Sequence, residues 1–166
     1  MSKKITLYTS YALIMKELQN TELLLTQIIY TINLKKGEIN NQEMVEKIYS
    51  KCLGDYLSQL VKKVKDLSPE SEKLLIQDDF LNAEKIIKLR NHFAHNFFKE
   101  FSSSDNEQIM DEIVQGNKFA FNHIKKFNKQ IQARLRSYLT SMTYNKSEIE
   151  GIVQINSENW DSIITN

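Results

Sequence analysis

An arginine, an asparagine and two histidines stand close together in the segment Arg90-Asn91-His92-Phe93-Ala94-His95. Arginine can bind phosphate or carboxylate groups, and histidine can exchange protons near neutral pH. The surrounding small and apolar residues recur at helical spacing and form a stripe with Arg90: Ala83, Ile87, Arg90, Ala94 and Phe97. Because an isolated buried charge is costly, the guanidinium of Arg90 must be paired or must face a cleft. The segment is therefore the first candidate for a functional site.

The spacing of the cluster separates its members around the helix. Asn91 and His95 are four residues apart and share one side, beside the apolar stripe. Arg90 and His95 are about 140° apart, at about 100° per residue. A single helix therefore positions Asn91 with His95 better than it positions Arg90 with His95. An extended Arg90 side chain or a cleft shared between two subunits would bring Arg90 and His95 together.

The elements that carry this cluster are predicted to be long helices. Four Gly and one Pro in 166 residues favour long helices with few tight turns. The apolar spacing and capping signals predict a first helix over 10–34 and a second over 40–64, which the pattern Asn40-x-x-Glu43 opens. A short helix is predicted after Ser68-Pro69-Glu70, and the motif helix is predicted from Asp78-Asp79 to about 98.

A last long helix is predicted over 106–144, after a polar loop at 102–105. Its buried edge is the series Ile113, Ala120, Ile124, Phe127, Ile131, Leu135 and Tyr138. Gly116-Asn117 is a candidate interruption. Residues 146–166 lack sustained periodicity and are expected to form a tail that docks Trp160 on the bundle or stays partly mobile. The predicted fold class is all-α, an antiparallel bundle of four to five helices within residues 1–145.

Composition places the chain in a broad class. The formal net charge of +1 names no partner. The single cysteine, Cys52, forms no intrachain disulfide, which fits a reducing cytosol. The longest apolar region, 23–34, is too short and too polar to span a bilayer. The expectation is a soluble, cytoplasmic protein without a membrane partner.

The motif helix also resembles a known family. Arg90-Asn91, three further residues and His95 are similar to the Arg-polar-x-x-x-His signature of HEPN domains (higher eukaryotes and prokaryotes nucleotide-binding). The resemblance covers roughly residues 5–142. It implies a HEPN-like helical bundle that carries the motif on a late core helix, and a metal-independent endoribonuclease in toxin, anti-phage or stress defence.

The resemblance also implies roles and partners. His95 would transfer protons, Arg90 would stabilise the phosphoryl transition state, and Asn91 would orient them, in a cleft formed across the axis of a homodimer. RNA is then the substrate, and an antitoxin or other regulatory protein is the expected restraint. Many toxin members carry a tyrosine two residues after the histidine, which a partner nucleotidyltransferase modifies. Here that residue is Phe97, which has no hydroxyl group to modify.

The last helix carries a second feature that suits RNA. Residues 113–145 include six Lys and Arg residues but no Asp or Glu. Four of them form one line at spacings of seven, four and seven, which we call the basic stripe: Lys118, Lys125, Lys129 and Arg136. Such a stripe could follow a phosphate backbone, although a row of lysines is more often a solvated helix face.

Two further histidines have weaker predictions. His92 is either an additional phosphate contact or a solvated neighbour of the motif, and His123 is expected at the surface or at its boundary. His92 and His95 are three residues apart, but no carboxylate or cysteine in the motif completes a metal site. No metal and no cofactor is therefore predicted.

Two non-catalytic hypotheses stand beside the ribonuclease. In the first, the bundle is an interaction or nucleotide-binding module, with Arg90 bonded to an acid on a neighbouring helix and His95 satisfied in the core. In the second, the chain is an RNA-binding regulator that uses the basic stripe. Cleavage of RNA separates the enzyme from both, and salt-sensitive binding without turnover identifies the regulator.

Overall fold

The computed structural model describes residues 3–37, 46, 56–97, 99 and 107–164. Their elements are α1 (Lys3–Lys35), α2 (Leu57–Asp66), a 3-10 helix (Glu70–Lys73), α3 (Gln77–His95), α4 (Glu107–Ser141), α5 (Lys146–Val153) and α6 (Trp160–Ile164). No strand occurs among these residues, so the predicted all-α class is confirmed for them. The predicted start of the second helix at Asn40, the position of Cys52 and the loop at 102–105 lie outside the described residues.

The two longest helices, α1 and α4, pack along each other in parallel. The Nδ2 group of Asn117 donates to Ser10 Oγ at 2.7 Å, and the hydroxyl of Thr21 donates to Asn128 Oδ1 at 2.7 Å. Both pairs are separated by 107 residues, so each step along α1 is matched by an equal step along α4. The two helices therefore run in the same direction.

Helix α3 runs antiparallel to both of them. Phe97, just after its end, stacks on Tyr11 near the start of α1, with ring centroids 4.6 Å apart. Asp79, near the start of α3, pairs with Arg134 towards the end of α4. The predicted antiparallel packing is therefore right for α3 and wrong for α1 against α4. Two helices that are each antiparallel to a third must be parallel to each other.

The core lies between α1, α3 and α4. The predicted apolar edge of α4 is buried from Ala120 to Tyr138, and Ile113 is partly buried. The helix is continuous through Gly116-Asn117, because the buried side chain of Asn117 bonds to Ser10 on α1. Each buried leucine or isoleucine of this core contributes about 1.5–3 kcal/mol relative to an exposed one.

A polar network crosses the core at the middle of α1. Glu17 is only 1% exposed, and its Oε2 accepts a hydrogen bond of 3.0 Å from Asn128 Nδ2. Its Oε1 accepts from the hydroxyl of Ser157, which follows α5. The Nδ2 group of Asn128 also donates to the Glu17 carbonyl, which lies 3.0 Å from the hydroxyl oxygen of Thr21. The network thus joins α1, α4 and the C-terminal segment.

The observed helices differ from the predicted ones mainly at their ends. Helix α1 begins seven residues earlier than predicted, because fully buried Leu7 extends its apolar face. The hydroxyl of Ser10, a residue type common at helix starts, instead donates to the Leu7 carbonyl within the helix. The short helix after Ser68-Pro69 is a 3-10 helix. Asp79 caps α3 from the third helical position, accepting from the Ile76 N–H at 2.8 Å.

The Asp79–Arg134 pair should be the most sensitive ionic contact in the described structure. The side chain of Asp79 is 3% exposed, so Arg134→Ala would leave a buried carboxylate without its cation. We expect a loss of about 3 kcal/mol of unfolding free energy, or roughly 6–12 °C in Tm for a chain of this size. Thermal denaturation followed by circular dichroism measures it. The control is Arg136→Ala on the same helix. Because Arg136 pairs with the exposed Glu150, this variant should lose less than about 1 kcal/mol of unfolding free energy.

Candidate functional site

Arg90 is half-buried on the side of α3 that faces α1 and Tyr56. Its guanidinium carbon lies 5.2 Å from the centre of the Tyr56 ring, a cation–π contact. Glu22 on α1 is near enough for the positive charge of Arg90 to act on it. Within the described part of the chain, however, no carboxylate lies within the 4.0 Å of an ion pair with Arg90.

The Glu22 carboxyl shows how the two charges interact. Burial raises the pKa of Glu22 above its ordinary value of 4.5, and the positive charge of Arg90 opposes that rise. The burial effect is the larger of the two. Arg90 is therefore positioned by ring stacking and a distant charge, and its N–H donors form no hydrogen bond to any described residue.

Asn91 and His95 are exposed on α3, and His95 is the last residue of the helix. Ala94 is also exposed, so its assignment to the buried stripe was wrong. The buried face of α3 and its extension instead consists of Phe80, Ala83, Ile86, Phe93 and Phe97. Phe93 and Ala94 lie four and three residues before Phe97, about 40° and 60° from it round the helix, so either spacing fits a stripe. Phe93 is buried because it has far more apolar surface than Ala94.

The single chain does not bring Arg90 and His95 to one face. Arg90 points towards Tyr56 and α1, whereas His95 lies about 140° further round α3. His92 lies about 160° from Arg90, on the side of α4. Both histidines therefore lie on the side of α3 away from Arg90, and the exposed Asn91 lies between Arg90 and His92 around the helix, about 100° from each.

A groove between α3 and α4 brings His92 together with His123. It has a volume of about 580 Å³, and we call it the α3–α4 groove. Its lining residues are Lys85, Lys88, Leu89, His92, Gly116, Phe119, Ala120 and His123. Sequence reasoning treated His123 only as a boundary residue. The signal that it missed is the series 116, 119, 120 and 123, which places one side of α4 opposite His92.

His123 is half-buried in this groove. Its Nε2 atom is buried and has no hydrogen-bond partner in the described chain. Burial lowers the pKa of His123, and the positive charges of Lys85 and Lys126 lower it further. The groove is therefore an electropositive environment in which the neutral imidazole is favoured.

Most of the basic stripe contacts the C-terminal segment, residues 146–164. Three of its four side chains contact that segment: Lys118 binds Asp161 at 2.7 Å, Lys125 donates to the Glu158 carbonyl, and Arg136 binds Glu150 through two bonds of 3.0 and 3.1 Å. Trp160 is 4% exposed and packs on Phe121, with ring centroids 5.3 Å apart. Lys129 is exposed at the edge of this contact. The stripe therefore holds the tail.

Two other kinds of site are not found in the described chain. Within residues 3–37, 56–97 and 107–164, no three His, Cys, Asp or Glu side chains form a group that could hold a metal ion. None of the described helices combines the length and the apolar character needed to cross a membrane. No protein-family model, curated protein or solved structure matches this chain. The HEPN family therefore stays a prediction based on the motif and the helical bundle.

The pH dependence of stability should report Glu22. Its raised pKa means that, above about pH 4.5, the folded carboxyl binds more protons than the unfolded one. Stability contributed by Glu22 is therefore present below that pH and is lost as the pH rises through its folded pKa. Arg90→Ala should raise the Glu22 pKa further and extend the decline to higher pH. Urea denaturation of wild type, Arg90→Ala and Glu22→Gln at a series of pH values above 4.5 measures the free energy of unfolding. The same dependence of that free energy on pH in all three proteins would contradict the prediction.

Replacing the acidic side chains of the tail by neutral ones should release the cations of the basic stripe from their ion pairs. In the double variant Glu150→Gln/Asp161→Asn, Lys118 and Arg136 lose their acidic partners. Under the hypothesis that the basic stripe binds RNA, we expect tighter binding, with the slope of log K against log salt steeper by about two charges. Fluorescence anisotropy with labelled RNA measures it. The matched control, Asp66→Asn/Glu112→Gln, makes the same charge change on exposed positions away from the tail and should leave the slope near that of wild type.

Proposed function

We propose that this protein is a metal-independent endoribonuclease of HEPN type that acts in toxin, anti-phage or stress defence. The observation that carries the proposal is the state of Arg90. Its guanidinium is half-buried beside Tyr56 and has no ion-pair or hydrogen-bond partner in the described chain. Since a guanidinium in such a place needs a partner, its donors, which are unpaired among the described residues, suit an incoming phosphate.

The other motif residues support the same chemistry. Asn91 and His95 are exposed on α3, so RNA can reach both side chains. The structural alternative for Arg90 requires a bonded acid on a neighbouring helix, but among the described residues the nearby acid is Glu22, which acts on Arg90 through its charge without an ion pair. The buried carboxylate that does form an ion pair, Asp79, is bound to Arg134.

In the proposed reaction, the 2′-oxygen of the ribose attacks the adjacent phosphorus and the 5′-oxygen leaves. His95 transfers protons: one is removed from the 2′-hydroxyl, and one is supplied to the leaving oxygen. Arg90 binds the phosphoryl oxygens as negative charge develops on them, and Asn91 orients the reacting groups. The products are a 2′,3′-cyclic phosphate and a 5′-hydroxyl, so no oxidant, reductant or second substrate is consumed.

The separation of Arg90 and His95 around α3 supports a homodimer. In a two-fold arrangement of motif helices, Arg90 of one subunit meets His95 of the other, although the two residues lie about 140° apart on any one helix. Each dimer then contains two composite sites. An antitoxin or other regulatory protein that restrains the activity would act by covering this shared cleft.

The alternative function is RNA or nucleotide binding without turnover. It is supported by the α3–α4 groove, where lysine, histidine and aromatic side chains meet away from Arg90. In that case RNA binds in a salt-sensitive manner and remains intact.

The decisive experiment is cleavage of structured and unstructured RNA in EDTA by purified protein. We expect cyclic-phosphate products from wild type and at least about a 100-fold loss of rate in both Arg90→Ala and His95→Ala. Mixing the two inactive variants in equal amounts should restore about a quarter of the wild-type rate, since half of the dimers are mixed and each has one complete site.

The control variant is Lys62→Ala, which removes an exposed cation on α2 and should retain the full rate. Thermal denaturation must show that the inactive variants stay folded. Intact RNA with wild type, or equal residual cleavage in both motif variants, would contradict the proposed roles. If mixing the two inactive variants restores no cleavage, the site shared between subunits is contradicted, but the proposed ribonuclease function is not.

A further inference from the structure

The α3–α4 groove lies outside the proposed catalytic residues and has features that select a ligand. None of its eight lining residues is acidic, and two of them are lysines on successive turns of α3, Lys85 and Lys88. Glu84, next to Lys85 in the chain, lies near Lys65 on α2, with an N–O distance of 3.6 Å. The charge of the groove therefore favours an anionic ligand.

An aromatic side chain stands at the same groove. Phe119 is 78% exposed, which is the highest exposure among the large apolar side chains of the described core and surface. Leu89 and Ala120 add apolar surface beside it. An exposed ring next to lysines offers a stacking face for a planar group that also carries negative charge.

The two histidines add polar groups to the lining of the same groove. The buried Nε2 of His123 lacks a hydrogen-bond partner in the described chain. His92 lines the groove from the opposite helix, α3. A ligand that brings a phosphate to this place would supply negative charge beside His123, Lys85 and Lys88. The volume of about 580 Å³ is in the range of small-ligand sites.

We propose that the α3–α4 groove binds one unpaired nucleotide of an RNA strand. Its base stacks on Phe119, and its phosphate lies among Lys85, Lys88 and His123. His95 is three residues beyond His92 and about 60° round α3, so the strand leaves the groove towards His95. The choice of RNA as ligand rests on the proposed ribonuclease function, for which the groove is a substrate-positioning site.

The test is the binding of a labelled single-stranded 2′-O-methyl oligonucleotide of about eight residues. This probe lacks the free 2′-hydroxyl and cannot be cut, so its binding is measured independently of cleavage. Phe119→Ala should weaken binding about tenfold, the effect of losing one stacked base. Because Phe119 is so exposed, the variant should keep the wild-type Tm.

Matched variants separate this groove from general surface effects. Leu81→Ala removes an exposed apolar side chain of α3 that does not line the groove, and the variant should bind as wild type does. Lys85→Ala and Lys88→Ala should each reduce the salt slope by about one charge, whereas Lys62→Ala should not. Addition of uridine monophosphate should shift the NMR signals of the His123 ring in wild type and not in Phe119→Ala.

Equal binding by wild type, Phe119→Ala and Leu81→Ala, with unchanged His123 signals, would overturn the groove site. That result would leave the cleavage proposal intact, since cleavage is assayed on ordinary RNA with the motif variants. Conversely, if the oligonucleotide binds tightly through the groove but the protein cuts no RNA, the groove site is supported and the proposed ribonuclease function is contradicted.

Discussion

The buried carboxylate of Glu17 is the constraint on which the arrangement of this bundle depends. A carboxylate that is 1% exposed needs hydrogen-bond donors, and these come from Asn128 on α4 and Ser157 in the C-terminal segment. Sliding α1 along α4 by one turn would leave the carboxylate and the Asn128 amide without these partners. An apolar interface alone tolerates such shifts better, because dispersion contacts are not directional.

The parallel packing of α1 and α4 determines which side chains of α3 face each of these two helices. Because α3 runs antiparallel alongside both of them, one of its flanks meets α1 and the other meets α4. Arg90 therefore lies beside Glu22 and Tyr56, and His92 lies across a groove from His123. The same packing that buries Phe93 thus separates the arginine from the histidines within one subunit.

The C-terminal segment changes the electrostatic surface of α4. Its acids and backbone occupy most of the basic stripe, and Trp160 anchors it on Phe121. The cations that remain available to a ligand in the described chain include those at the α3–α4 groove. A row of lysines along a helix is therefore an incomplete guide to nucleic-acid binding, since the pattern does not contain the acids that fold back onto it.

Periodicity and composition were sufficient to predict the helical class and the apolar edge of α4, because these depend on local spacing and hydrophobicity. They left open whether the tail docks Trp160 or stays mobile, and the tertiary structure buries that side chain. The motif helix and its polar cluster were likewise visible in Arg90, Asn91 and His95. Only the tertiary structure decided the parallel direction of α1 and α4, the meeting of His92 with His123, and the use of Lys118 and Arg136 to hold the tail. Those features join residues far apart in the chain, and a helical repeat describes one helix at a time.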